Sequence, residues 1–95
     1  MSMKAAMIAR EVYYSGRVQG VGFRWNARHV ARGYRVTGFV RNLDDGRVQL
    51  VAVGTREEVE RFLQAVVDSM QGNITNAVVS EHSPASEYPD FEIRS

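Results

Sequence analysis

The order of strand-like and helix-like segments constrains the fold of this chain more than any other feature of its sequence. Residues 23–32 and 55–70 carry apolar side chains at helical spacing, with strand-like segments before, between and after them. These strand-like segments cover residues 9–15, 36–42, 47–53, 74–80 and 91–94. The sequence therefore predicts the order β-α-β-β-α-β, followed by a short extra strand.

The second helix has the clearest signals for where it begins and ends. Thr55 is followed three residues later by Glu58, which is the Thr-x-x-Glu pattern of a capping box. A wide apolar stripe at helical spacing follows, made of Val59, Phe62, Leu63, Val66, Val67 and Met70. Gly72 is well placed to end this helix.

A tight turn connects the second and third strands. Asp45 and Gly46 stand there, and an Asp-Gly pair tolerates the positive φ angles of a hairpin. A hairpin here and right-handed crossovers elsewhere predict a ferredoxin-like α/β sandwich of the α+β type. Its mostly antiparallel sheet would carry both helices on one face and leave the other partly exposed. Four aromatic residues belong either to the core or to its rim, and most of them are expected in the core: Tyr13, Tyr14, Trp25 and Phe39.

Length and composition exclude several classes of protein. The 95 residues suffice for one domain, predicted over residues 9–95 after a loose leader of residues 1–8. There is no cysteine, and His29 and His82 stand far apart, so no disulfide and no metal site is predicted. The sequence has neither a signal peptide nor an apolar run of ~18 residues. We therefore expect a cytoplasmic protein, a monomer with no membrane partner.

A glycine loop, defined here as residues 16–22, connects the first strand to the first helix. Its three glycines, at 16, 20 and 22, let the backbone curl and leave its N–H groups unshielded. The helix that follows adds unpaired N–H groups and a partial positive charge, and Arg24 stands at its beginning. This arrangement is typical of a cradle for a small anion, and a phosphate is the anion we expect. The alternative is a simple tight turn followed by a solvated arginine.

Nucleotides and nucleic acids do not fit the same residues. A P-loop needs a Gly-Lys pair, but the only lysine is Lys4, and a dinucleotide fingerprint needs glycine where Trp25 stands. Residues 1–47 hold nine basic and three acidic side chains, yet the net charge of the chain is only +1. An RNA-recognition module would need an aromatic residue in the third strand, which has none. A small phosphate compound is the ligand that remains.

Asn42 is the second residue of interest, because it ends the second strand just before the hairpin. In the predicted topology the third strand neighbours both the first and the second, so this strand end could approach the glycine loop. The alternative is that Asn42 is ordinary turn material, which asparagine often is. The residue pattern alone leaves both interpretations open.

Two segments resemble the signatures of the acylphosphatase family. The run Gly-Arg-Val-Gln-Gly-Val-Gly-Phe-Arg at residues 16–24 is similar to its phosphate-loop signature nearly letter for letter. The run Thr-Gly-Phe-Val-Arg-Asn at residues 37–42, followed by Asp-Gly-Arg-Val at 45–48, resembles its second signature. The resemblance covers residues 9–95, although Phe39 stands where the family often has tryptophan and Gln49 where glutamate is frequent.

The resemblance implies that the chain hydrolyses the carboxyl-phosphate bond of small acyl phosphates to carboxylate and phosphate, without a metal or cofactor. It implies that Arg24 holds the phosphate and that Asn42 orients the attacking water. The resemblance also implies that backbone N–H groups of this chain bind the phosphate, namely those of Gln19, Gly20, Val21, Gly22, Phe23 and Arg24. A non-catalytic anion-binding or regulatory domain, similar to the acylphosphatase-like domains of larger carbamoyl-transfer proteins, is the alternative.

Overall fold

The computed structural model describes residues 7–82 and 88–95. Its elements are β1 (Met7–Gly16), α1 (Phe23–Ala31), β2 (Thr37–Asn42), β3 (Val48–Thr55), α2 (Arg56–Ser69), β4 (Ile74–His82) and β5 (Phe91–Arg94). All seven predicted elements are present, in the predicted order. β1 begins two residues earlier than predicted, so Met7 and Ile8 belong to it, and the remainder of the predicted leader, residues 1–6, lies outside the described residues.

The five strands form one sheet in the order β4-β1-β3-β2-β5. All neighbouring pairs are antiparallel except β2 and β5, which are parallel. β3 lies between β1 and β2, as the ferredoxin-like topology requires. The end of β1 and the end of β2 therefore lie on either side of the same central strand, and the predicted fold is confirmed.

The main core lies between the two helices and one face of the sheet. Val12, Tyr14, Leu50 and Phe62 are at most 1% exposed. Burying side chains of this size contributes ~1.5–3 kcal/mol each relative to leaving them in water. A smaller cluster on the other face holds Ala9, Phe39, Val51 and Val53, with Tyr88 packed against it. β3 is therefore buried on both faces.

Trp25 lies outside the core, so it is not among the aromatic residues that the core contains. Its side chain is 67% exposed, whereas Phe23 and Ala27 in the same helix are buried. Two residues along an α-helix correspond to a rotation of roughly 200°, which turns Trp25 away from the side of Phe23. Tyr14 and Phe39 are buried as expected, and Tyr13 is half-buried.

The predicted capping box of α2 forms only in part. The Thr55 hydroxyl accepts a hydrogen bond from the Glu58 N–H at 3.3 Å, which caps the helix as expected. The Glu58 carboxylate does not return to Thr55 but accepts from the Arg35 N–H at 2.9 Å. Glu58 thereby joins the segment after α1 to the beginning of α2.

Candidate active site

The glycine loop has the left-handed backbone that its composition predicts. Gly20 and Gly22 have φ angles of 76° and 79°, and Gly22 is the residue that precedes the first turn of α1. A Cβ added at either position would meet no atom within 4 Å. Glycine is therefore required by the backbone conformation and not by crowding, and the surface of the loop is open to a ligand.

Several backbone N–H groups of the glycine loop and the first turn of α1 have no partner among the described residues. The Asn26 N–H makes the first hydrogen bond of α1, to the Gly22 carbonyl at 2.9 Å. Within residues 7–82 and 88–95, no acceptor takes a hydrogen bond from the N–H groups of residues 18–25. The first turn of α1 also has no acidic residue and no capping side chain. These donors and the positive end of the helix favour an anion.

Arg24 extends from the first turn of α1 beside these donors. Its neighbour Phe23 is 1% exposed and packs on Tyr14 with 4.9 Å between ring centroids, which fixes the beginning of the helix. The Arg24 Nη1 donates to the Arg94 carbonyl at the end of β5 over 3.5 Å. A bond of that length is weak, so most of the donor capacity of the guanidinium stays available.

Asn42 ends β2 opposite Val48, and its side-chain oxygen has no protein partner. The Oδ1 atom is buried and accepts no hydrogen bond from the described residues. The hairpin is closed by other groups, with Leu43 N–H donating to the Arg47 carbonyl at 2.8 Å and Gly46 N–H donating to the Leu43 carbonyl at 3.2 Å. An unpaired buried acceptor costs ~1–3 kcal/mol, so a role in the turn does not explain this side chain.

Arg24 and Asn42 line one small cavity. Its volume is about 140 Å³, and its wall is formed by Val18, Gly20, Gly22, Phe23, Arg24, Trp25 and Asn42. A cavity of this volume has room for a small group such as a phosphate. Of the predicted phosphate-binding residues, Gln19 and Val21 do not line it, and Val21 is 46% exposed.

Gln19 uses its side chain for a different contact, which the sequence did not indicate. Its Nε2 donates to the Leu43 carbonyl at 2.7 Å and to the Arg47 carbonyl at 2.9 Å. Both carbonyls belong to the β2–β3 hairpin, which begins directly after Asn42. Gln19 therefore ties the glycine loop to the hairpin, and only the three-dimensional arrangement reveals this contact.

A larger depression of about 340 Å³ lies near the other end of α1. It is lined by Arg28, Ala31, Arg32, Tyr34, Val36, Asp90, Phe91 and Glu92. It shares no residue with the cavity of Arg24 and Asn42, and it presents both signs of charge. The smaller cavity is the candidate active site, because it combines open N–H donors, a guanidinium and an unpaired amide oxygen.

Three further properties of the described residues are a raised pKa beside the glycine loop, the absence of a metal-binding cluster and the absence of a membrane-spanning helix. Burial raises the pKa of the Tyr14 phenol far above its ordinary value, so this residue stays neutral below the glycine loop. Residues 7–82 and 88–95 contain no group of three His, Cys, Asp or Glu that could hold a metal ion. None of the helices in this part of the chain is long and apolar enough to cross a membrane.

Known proteins resemble this chain in sequence and in structure. The acylphosphatase family model matches residues 10–93. A curated acylphosphatase of Archaeoglobus fulgidus is 42% identical over 87 residues, which cover 92% of this chain and 98% of the relative. The crystal structure of acylphosphatase from Bacillus subtilis has a TM-score of 0.84 and 32% identity, covering 93% of this chain and 99% of that one.

A larger protein contains a similar domain. The crystal structure of T. kodakarensis HypF matches with a TM-score of 0.81 and 27% identity, over 93% of this chain but only 12% of the HypF chain. The family model and the Archaeoglobus relative both span most of the present sequence. The chain belongs to the acylphosphatase family, enzymes that hydrolyse acyl phosphates.

Proposed function

We propose that Arg24 and the backbone N–H groups of the glycine loop hold the phosphate of the substrate, while Asn42 orients the water that attacks it. One observation carries this proposal: Arg24 and Asn42 line the same small cavity as Gly20 and Gly22. The water oxygen forms a new bond to phosphorus, and the bond from phosphorus to the carboxyl oxygen breaks. The products are a carboxylate and inorganic phosphate.

The glycine loop and Arg24 stabilise the charge of the phosphate as it changes. In phosphoryl transfer the charge spreads over the three equatorial oxygens while the attacking and leaving oxygens stay roughly in line. The unpaired N–H groups of residues 18–25 and the guanidinium are fixed donors that need no rearrangement to meet it. In other enzymes a single donor of this kind lowers the activation free energy by ~3 kcal/mol.

Asn42 positions the water and does not take its proton. A carboxamide does not titrate in the working range, but its oxygen accepts hydrogen bonds. The buried Oδ1 of Asn42 is an acceptor without a partner among the described residues, so a water that donates to it stabilises the site. Among the described residues, no histidine or carboxylate lines the cavity. The proton of the attacking water therefore passes to an oxygen of the substrate phosphate.

The proposal includes a reaction without metal or cofactor, because Arg24 and the N–H donors supply the positive charge that a metal would otherwise provide. It also includes a monomer in the cytoplasm, whose single domain spans residues 9–95. The absence of cysteine is compatible with a reducing compartment. An acyl phosphate has a good leaving group, so positioning and charge stabilisation suffice for catalysis.

Hydrolysis of benzoyl phosphate in excess EDTA tests this mechanism. We expect Arg24→Ala to remove both activity and competitive inhibition by inorganic phosphate, because it removes the side-chain donor. Asn42→Ala should lower kcat by at least ~100-fold and keep the inhibition, because only the water loses its position. Arg61→Ala and Asn76→Ala change the same residue types on the exposed surface and serve as controls. Wild-type turnover in both site variants would disprove the assignment.

A non-catalytic phosphate-binding domain is the second candidate, because the chain is also similar to a part of HypF. The two candidates differ in one measurement. A binding domain would show saturable association with inorganic phosphate and no release of carboxylate from any acyl phosphate tested. Turnover that Asn42→Ala abolishes supports the enzyme instead.

A further inference from the structure

Trp25 is the one tryptophan of the chain, and it lies at the candidate active site with its ring largely in water. It is 67% exposed, and it forms part of the wall that also contains Arg24 and Asn42. Exposing a large aromatic ring in this way gives up the stabilisation that its burial would provide. We expect this exposed ring to contact a ligand, since it is not packed in the core and has no role in the proposed hydrolysis.

The indole is held in place by the next turn of α1. The guanidinium carbon of Arg28 lies 4.8 Å from the centroid of the Trp25 ring, at the distance of a cation–π contact. Within the described residues, Arg28 has no carboxylate within 4.0 Å. The contact restricts the rotamers of Trp25, so the ring offers a flat apolar surface with little further ordering to lose.

The exposed part of the cavity wall indicates where the acyl group lies. The cavity has room for the phosphate, and its wall includes Trp25, which is largely exposed to solvent. The acyl group therefore projects out of the cavity, towards solvent-exposed parts of its wall. Phe23, the other aromatic residue of the wall, is 1% exposed and cannot contact it there.

We propose that Trp25 determines specificity for the acyl group, and that it favours acyl phosphates whose acyl group is flat and apolar. The proposal rests on the proposed placement of the phosphate between the glycine loop and Arg24. Stacking of an aromatic acyl group on an indole contributes up to about tenfold in affinity beyond simple burial. A small acyl group such as acetyl gains little from the ring.

The test compares benzoyl phosphate with acetyl phosphate in wild type, Trp25→Ala and Trp25→Phe. We expect Trp25→Ala to lower kcat/KM for benzoyl phosphate by ~10-fold and that for acetyl phosphate by less than ~2-fold. Trp25→Phe should restore most of the preference, since it keeps an aromatic face. Inhibition by inorganic phosphate should be unchanged in both variants. An equal loss for the two substrates, or no loss, would overturn the proposal.

Binding without turnover separates this proposal from the proposed mechanism. Phenacylphosphonate and acetonylphosphonate are stable analogues of the two substrates, and their affinities can be measured by calorimetry even if the chain hydrolyses nothing. We expect Trp25→Ala to weaken the phenyl compound alone. Succinyl phosphate tests the opposite preference, for an acidic acyl group. The proposal fails if Arg28→Gln selectively impairs hydrolysis of succinyl phosphate while hydrolysis of benzoyl phosphate is insensitive to Trp25→Ala. That result would show that the site recognises an acidic acyl group.

Discussion

Gln19 shows how a single side chain can connect the two halves of a site that lie far apart in sequence. Arg24 belongs to α1 and Asn42 to β2, and within the described residues no side-chain hydrogen bond joins the two. The Gln19 amide contacts two carbonyls of the hairpin, at 2.7 and 2.9 Å. We therefore infer that a third residue helps to set the distance between the proposed phosphate donors and the amide proposed to position the water.

Replacement of Gln19 by alanine should reduce turnover more than phosphate binding. The variant loses both hydrogen bonds to the hairpin, although each carbonyl keeps its backbone donor, so the loss of stability is ~0.5–1.5 kcal/mol for each bond. We expect kcat for benzoyl phosphate to fall by ~10-fold or more, because a small displacement of the water relative to the phosphate is costly. Inhibition by inorganic phosphate should be retained, since the loop N–H groups remain.

Gln64→Ala is the matched control for this variant, because the Gln64 amide bonds only to Asp68 on the exposed surface of α2. Kinetics and urea unfolding of both variants give the comparison. An unchanged kcat in Gln19→Ala would show that the loop and the hairpin keep their relative position without the amide.

The sequence was informative about some single residues and silent about others. The glycine pattern and the strand order made Arg24 and Asn42 candidates at the same edge of the sheet. They left open whether Asn42 is ordinary turn material, and only the family resemblance gave that residue a role. The hydrogen bonds from Gln19 to the hairpin and the exposure of Trp25 could not be predicted from the sequence. Both depend on how the loop and the helix are oriented in space, which the local pattern of polar and apolar residues does not specify.

At the scale of elements, the β2–β3 hairpin is stabilised by its own turn. The Asp45 carboxylate accepts a hydrogen bond from the Arg47 N–H at 3.0 Å and forms an ion pair with the Arg47 guanidinium at 2.8 Å. The backbone hydrogen bond, helped by the guanidinium, lowers the pKa of Asp45 from its ordinary 3.8. The hairpin is thus more stable when this carboxylate is charged.

Asp45→Asn should destabilise the protein near neutral pH and have little effect in acid. A lowered pKa in the folded state gives stability that is present above the ordinary pKa of 3.8 and is lost as the pH falls through the lower folded value. Urea unfolding at about pH 7 and about pH 2 measures the difference. Asp44→Asn is the control, since Asp44 has no hydrogen bond to a described residue. A destabilisation that persists unchanged in acid would contradict the expectation.

The helices and strands could be predicted from local sequence patterns, with small errors in their bounds and caps. α2 was predictable because its cap and its apolar stripe agree, and Thr55 does cap it. The other half of the capping box was not predictable, because Glu58 has a competing donor in Arg35, 23 residues earlier. Competition from distant groups is absent from any short sequence window, and it is the main source of the differences found here.

For the whole molecule, the site joins the glycine loop, α1 and β2 around a core in which β3 is buried on both faces. Such a small domain is expected to unfold as one unit, so a ligand that binds only the folded state stabilises all of it. The free energy of unfolding of the domain then measures how much ligand is bound at the proposed site beside Arg24.

Inorganic phosphate should raise the Tm of the wild type and of Asn42→Ala but not of Arg24→Ala. Phosphate at 100 times its Kd stabilises the folded state by ~2.7 kcal/mol. For a domain of this size each kcal/mol corresponds to a shift of ~4–8 °C. Calorimetry with chloride at matched ionic strength corrects for general salt effects. Equal shifts in all three proteins would place the bound phosphate somewhere other than beside Arg24.

The contact between Arg24 and the Arg94 carbonyl spans 70 residues. During synthesis the glycine loop and the β2–β3 hairpin leave the ribosome before β5, which carries that carbonyl and pairs with β2 in parallel. A nascent chain therefore carries Arg24 and Asn42 before β5 can pair with β2, the strand that Asn42 ends. We expect hydrolysis to rise when β5 pairs with β2, so the activity of a growing chain would report how far this sheet has been assembled.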